Sequence, residues 1–90
     1  MATVRIPPVL RAQTAGLAEV DAVGSNVGEV LRALIAEHPK TEDQLFGPDG
    51  DLNRYFNIYL NDEDVRVLDG LHTAVAEGDT VVILPAMAGG

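Results

Sequence analysis

The side chains in this sequence that can do chemistry are few and do not converge. His38 and His72 stand alone, the chain has no cysteine, and Ser25 is its sole serine. A nucleophile with its base, or a zinc cage, needs several such groups brought together. These residue types therefore exclude a cysteine nucleophile, a disulfide scaffold and a cysteine-based metal site. His38 falls where an apolar stripe ends and suits a helix terminus, whose free carbonyls accept imidazole N–H donors. His72 reads as a surface loop residue. The acidic turn Asp62-Glu63-Asp64 lacks the spaced oxygen ligands and fixed glycine of a calcium loop. No Gly-x-Gly-x-x-Gly or Gly-Lys-Ser/Thr run precedes a helix to cradle phosphate. The expectation is a chain that binds no metal and no cofactor and is not itself an enzyme.

The main chain offers a better candidate at Pro85-Ala86-Met87-Ala88-Gly89-Gly90. The stretch from Ala86 to Gly90 extends about 17 Å at roughly 3.3 to 3.6 Å per residue. That reach carries an α-carboxylate off a folded body into the cleft of another protein. Gly89 and Gly90, without a Cβ, let the backbone approach closely and adopt angles closed to other residues. A free carboxylate resists nucleophiles, so chemistry at Gly90 requires activation, most directly as an acyl-adenylate made with ATP. The adenylate can then accept sulfur and become a thiocarboxylate, or accept an amine and become an amide joined to another protein. A chain without a thiol has no means of trapping its activated end as an internal thioester, which suits the first route.

The elements that must hold this tail are legible from periodicity. Thr3-Val4-Arg5-Ile6 alternates as a half-buried strand, and Pro7-Pro8 either confines it to a sheet edge or ends its pairing. After Thr14-Ala15-Gly16, the run Leu17 to Asp21 alternates again and fits a hairpin return beside the first strand. Val27, Val30, Leu31, Leu34, Ile35 and His38 form one helical stripe. The spacing predicts a helix from about Asn26 to His38, capped by Ser25 or Asn26, with Glu29 placed for a capping box and Pro39 as the stop. A short helical turn at Glu42 to Phe46 precedes the breakers Gly47-Pro48-Asp49-Gly50-Asp51. Phe56 to Leu60 reads as a strand, Asn61 to Asp64 as a turn, and Val65-Arg66-Val67 as the returning strand. Leu71 and Val75 plug the core from a short crossover, and Glu77-Gly78-Asp79 makes a turn. Thr80 to Leu84 is a continuous apolar strand suited to the centre of a sheet.

One helix over one face of a mixed sheet of about five strands gives an α+β domain, for which the compact solution is a β-grasp roll. The string also permits other small α+β sheets, because pattern does not fix strand order. The expected organisation is a single domain over residues 1–85 and a tail over 86–90. Alternation in the last strand turns Val81 and Ile83 toward the helix and Val82 and Leu84 outward, unless that strand is covered on both faces.

Composition narrows the partners. The 90 residues hold 47% apolar and 22% charged residues, within the globular range, and 14 acidic against 6 basic residues leave a net charge of −8. The cations are scattered, so nucleic acid is not an expected partner; the excess of carboxylate serves solubility or docking onto a basic partner. Met1 to Ile6 has no basic segment leading into a long apolar run, and no stretch approaches the roughly 18 apolar residues of a membrane span. The expectation is a cytoplasmic protein, monomeric when alone.

With these elements assembled, the chain resembles the ubiquitin-like sulfur carriers, which include the thiamine-pathway carrier and the small subunit of molybdopterin synthase. The general likeness is the β-grasp order and the apolar strand leading through Pro85 to Gly89-Gly90. VRIPPVLR (Val4 to Arg11), NIYLNDEDVR (Asn57 to Arg66) and EGDTVVILPAMAGG (Glu77 to Gly90) are closer to the actinobacterial sulfur carriers of cysteine biosynthesis. The insert Lys40 to Arg54 is also similar to theirs, being longer than in thiamine carriers. The resemblance covers the whole chain and implies that Gly90 is adenylated by an E1-like enzyme using ATP and converted to a thiocarboxylate. It implies further that the sulfur passes to a pyridoxal-phosphate cysteine synthase acting on O-phosphoserine, and that a zinc-dependent peptidase releases cysteine. Those cofactors belong to the partners. Docking in the family carries over onto Val82, Leu84, Ala86, Met87, Ala88 and Gly89. The same tail also suits a carrier for a secondary metabolite, thiamine or molybdopterin, or a ubiquitin-like modifier of lysines.

Overall fold

A computed structural model of the chain describes residues 1–47, 52–53 and 55–85. The breakers from Pro48 to Asp51, and the tail from Ala86 to Gly90, lie outside the described residues. Five strands form one mixed sheet: β1 (Ala2–Arg5), β2 (Glu19–Ala22), β3 (Phe56–Leu60), β4 (Glu63–Asp64) and β5 (Thr80–Pro85), in the order β2-β1-β5-β3-β4. β1 and β5 are parallel; the other neighbours are antiparallel. Helix α1 (Val27–Glu37) supplies Val27, Val30, Leu31 and Leu34, all without exposed surface, against Val4, Ile58, Val81 and Ile83 of the sheet. This is the β-grasp arrangement. No helix among the described residues is long and apolar enough to cross a membrane.

The helix boundaries follow from capping chemistry. The Asn26 side chain accepts from the Glu29 backbone N–H at 2.8 Å, satisfying one of the orphan donors of the first turn. Glu29 answers with a reciprocal bond, made to the backbone N–H and hydroxyl of Ser25, both at 2.8 Å, one residue upstream of the usual capping-box partner. The chain enters α1 through a bridge between Asn26 and Ala74, with Val27 donating to the Thr73 carbonyl and Val75 to that of Ser25. Gly24 is required here, because a Cβ would lie 2.6 Å from the Val30 nitrogen. Leu71 and Val75, expected to plug the core from a crossover, pack half-buried against it.

Two segments depart from the sequence expectation. Pro7 and Pro8 follow the last paired residue of β1, so they end the strand without placing it at an edge; β1 has a neighbour on each side. Pro8–Thr14 forms a 3-10 helix, not foreseen, that buries Leu10 and Thr14 and turns the expected hairpin into a long connection closed by the Ile6 N–H to Ala18 carbonyl bond of 2.8 Å. The returning strand β4 is Glu63–Asp64, and Val65–Val67 is a 3-10 helix. The Asp64 carboxylate accepts from the Arg66 backbone N–H at 2.9 Å and bends the chain, leaving Val65 buried and Val67 77% exposed.

Leu31→Ala removes a fully buried side chain from the helix–sheet contact and should cost on the order of 2 to 5 kcal/mol in denaturant unfolding; a negligible change would overturn the helix facing. The Glu29 carboxyl lies below its ordinary value of 4.5 because the Ser25 backbone N–H, and then its hydroxyl, donate to the charged form. A depressed carboxyl contributes its stability above the unfolded value and loses it as pH falls through the lower folded value. Glu29→Gln should therefore flatten the acid limb of the stability curve as pH falls below the ordinary carboxyl value of 4.5, with the gap from wild type widest near neutrality.

Candidate functional site

The candidate site begins with how β5 is held. Asn61, in the left-handed region at φ 56°, accepts from the Thr80 backbone N–H at 3.0 Å through its side chain and donates its own N–H to the Thr80 carbonyl at 2.7 Å. The strand is thus pinned at its start and paired on both edges, through Arg5↔Val82 on one side and Phe56↔Pro85 on the other. Val81 and Ile83 are 0% and 1% exposed against α1; Val82 is half-buried on the opposite face and Leu84 is 42% exposed. The expected facing is what the structure has, and the second face is open. Of the sequence-predicted site residues, Val82 and Leu84 come together on this face. Ala86, Met87, Ala88, Gly89 and Gly90 lie outside the described residues.

The open face carries residues the sequence did not point to. Arg5 and Tyr59 sit directly across from Val82, and Asn57 across from Leu84. Arg5 approaches Glu19 at 3.6 Å. Arg66 forks onto Asp64, with contacts of 2.6 to 3.2 Å from its guanidinium. Those side-chain bonds, with the Arg66 backbone N–H second, hold the Asp64 carboxyl below the usual carboxylate range and push the guanidinium up. Alternation along each strand could have found these neighbours only with the strand order in hand.

The titratable groups considered singly stay apart. His38 ends α1, its backbone N–H donating to Leu34 at 2.8 Å and its carbonyl accepting from the Thr41 hydroxyl at 2.7 Å. His72 is exposed in a 3-10 helix, Gly70–His72, and the Ser25 hydroxyl is taken by Glu29. Among the described residues, no three acidic or histidine side chains gather as a metal cage. A groove of about 790 Å³ beside α1, lined by Arg32, Ile35, Glu42 and Phe46 among others, includes no residue of β5.

The ThiS family model matches residues 4–90, which takes in every element of the sheet beyond its first residues and the strand that bears Leu84. The chain belongs to the ThiS family. Sulfur carrier protein CysO of Mycobacterium tuberculosis is 49% identical over 90 residues, 98% of this chain and 97% of that protein. A chain in the crystal structure of the Amycolatopsis orientalis BexX/CysO complex superposes with a TM-score of 0.91 at 42% identity, covering 100% of both. The Haloferax volcanii small archaeal modifier protein 1 superposes with a TM-score of 0.79 at 31% identity, covering 96% of this chain and 97% of its own. Within the ThiS family this chain is a sulfur carrier protein, a β-grasp protein with one covered and one open sheet face.

The facing of β5 separates the effects of substituting two adjacent residues. Leu84→Arg should change stability by no more than about 0.5 kcal/mol, as at other exposed positions. Ile83→Ala, one residue earlier, should cost on the order of 2 to 5 kcal/mol. Equal losses in thermal unfolding would mean that the second face is covered.

Proposed function

We propose that the working group of this sulfur carrier is the Gly90 carboxylate. An E1-like partner couples it to ATP, giving an acyl-adenylate and pyrophosphate, and sulfur then displaces AMP to leave a thiocarboxylate that serves as a sulfur nucleophile. The chain is the protein co-substrate in these steps, and ATP is bound by the partner. The observation that carries this reading is the placement of β5: a strand anchored on both edges leads directly into Ala86-Met87-Ala88-Gly89-Gly90, and Leu84 stands exposed one residue before its end. A rigid body with a docking side chain beside a slender tail fits an enzyme that must hold the carrier while acting on its end.

The acceptor is proposed to be a pyridoxal-phosphate cysteine synthase in the cytoplasm, followed by a zinc peptidase that frees cysteine, in line with the whole-chain identity to CysO. Secondary-metabolite, thiamine or molybdopterin enzymes are the alternative acceptors. The likeness to a small archaeal modifier protein favours one further reading, attachment to lysines, in which an amine replaces sulfur at the same adenylate.

The deciding measurement is the intact mass after incubation with ATP, a sulfur source and the E1-like enzyme of the same organism. The expected result is one oxygen exchanged for sulfur, localised to the Gly90 peptide and lost when Gly90 is deleted. An unchanged mass with an active enzyme would overturn the carrier chemistry, and lysines bearing a Gly-Gly remnant would turn the reading to modification. Leu84→Arg should weaken association with the activating enzyme by about tenfold or more, the scale of losing an apolar anchor.

A further inference from the structure

β2 is one edge of the sheet and β4 the other, and the two edges are closed differently. β4 is 2 residues long and ends where the Asp64 carboxylate takes the Arg66 N–H and turns the chain into a 3-10 helix. β2 runs for 4 residues in unbroken register with β1, and among the described residues no strand pairs with its outer side. Short length, bulges, proline and charge are among the devices that keep an edge from accepting another strand; of these, β2 uses charge alone.

The backbone groups on that outer side follow from the ladder. Ile6 donates to the Ala18 carbonyl, and Thr3 donates to the carbonyl of Asp79, which leads into β5. Along β1, Thr3 and Arg5 therefore turn their N–H and C=O toward β5, while Ala2 and Val4 turn theirs toward β2. Val20 and Ala22 are engaged with β1, and the N–H and C=O of Glu19 and Asp21 point outward. The same two exposed residues carry the charge. Arg5 Nε approaches Oε2 of Glu19 at 3.6 Å and the Thr3 hydroxyl approaches Oδ1 of Asp21 at 3.5 Å, so each carboxylate keeps its second oxygen unengaged among the described contacts. Leu17 and Val23, 46% and 58% exposed, flank the pair at the same two-residue spacing. A second copy paired antiparallel on this edge would set Glu19 and Asp21 against carboxylates of their own kind, and like charges directly opposite destabilise a sheet.

From this we infer that the β2 edge accepts an additional strand from a partner protein: an extended segment with cations at two alternate positions, flanked by apolar residues at the same spacing. Added antiparallel, the segment bonds through its backbone to the N–H and C=O of Glu19 and Asp21. Its cationic side chains then start about 5 Å from those of Glu19 and Asp21, on the same face. Backbone pairing supplies the affinity, and the two carboxylates supply the choice of segment. The inference stands apart from the chemistry proposed at Gly90, since β1 separates this edge from β5.

The probe is the capped peptide Val-Thr-Lys-Thr-Lys-Thr-Val, added to the full chain at roughly 0.05 M salt, with amide hydrogen exchange read residue by residue. In the free protein Val20 and Ala22 should be protected and Glu19 and Asp21 should exchange about tenfold faster or more. Saturating peptide should slow Glu19 and Asp21 by about tenfold or more. N-methylation of either lysine removes an N–H that faces β2 and should abolish the effect; N-methylation of the central threonine, whose N–H faces away, should leave it. Glu19→Gln combined with Asp21→Asn should weaken the peptide by about fivefold or more at this salt, with most of the gap closing near roughly 0.5 M. Binding that leaves the Glu19 and Asp21 amides unslowed, or that survives N-methylation at lysine, would reduce the contact to bulk charge and overturn the inference. So would absence of binding at about 1 mM peptide, or equal binding of Val-Thr-Glu-Thr-Glu-Thr-Val. Protection of Glu19 and Asp21 that grows with the concentration of the protein alone would give the edge to a second copy, and would overturn it as well.

Discussion

The parallel pairing of β1 with β5 is the constraint from which the rest of the molecule follows. Parallel neighbours cannot be joined by a tight turn, so the chain between them must include a crossover that can cover a face. Here the crossover contains α1, and it buries Val4, Val81 and Ile83 under Val30, Leu31 and Leu34. The last strand thereby comes to lie in the middle of the sheet. A central strand has partners for its N–H and C=O groups on both sides, so its direction is fixed by two ladders. The last described residue, Pro85, therefore sits in a strand that is paired on both sides.

The division of labour between the two faces is also set by this pairing. One face is committed to the helix and holds nearly all the large apolar side chains. Among the described residues no helix covers the other, and its residues are mixed: threonine, arginine, asparagine and tyrosine surround Val82 and Leu84. Exposed ion pairs such as Arg5 with Glu19 contribute little to folding, so the composition of this face can vary with small cost to stability.

The sequence exposed the periodic elements and concealed the irregular ones, for reasons visible in particular residues. The stripe from Val27 to Leu34 and the caps at Asn26 and Glu29 are local signals, each satisfied within a turn, and α1 appears within a residue of its expected ends. The facing of Leu84 follows from alternation alone. By contrast, Val65-Arg66-Val67 looks like a strand until the Asp64 side chain takes the Arg66 N–H, a side-chain bond that outcompetes extended pairing. Pro7-Pro8 announces an interruption but not the 3-10 helix that uses it. Arg5 and Tyr59 were placed beside Val82 only through strand order, which depends on contacts distant in sequence. The glycine tail was readable as a motif, and its chemistry came from the likeness to sulfur carriers, since a carboxylate has no pattern of its own.

The connection between β1 and β2 has its ends tied by the Ile6 to Ala18 bond, while its tip at Ala15 and Gly16 is exposed, left-handed and surrounded by open space. A loop closed at its base isolates its tip from the strands it joins. The amino terminus is engaged with Glu77, and the carboxyl terminus is the proposed working end. A fluorophore or affinity handle for following this protein therefore belongs in the Ala15-Gly16 tip, where it leaves both ends of the chain untouched.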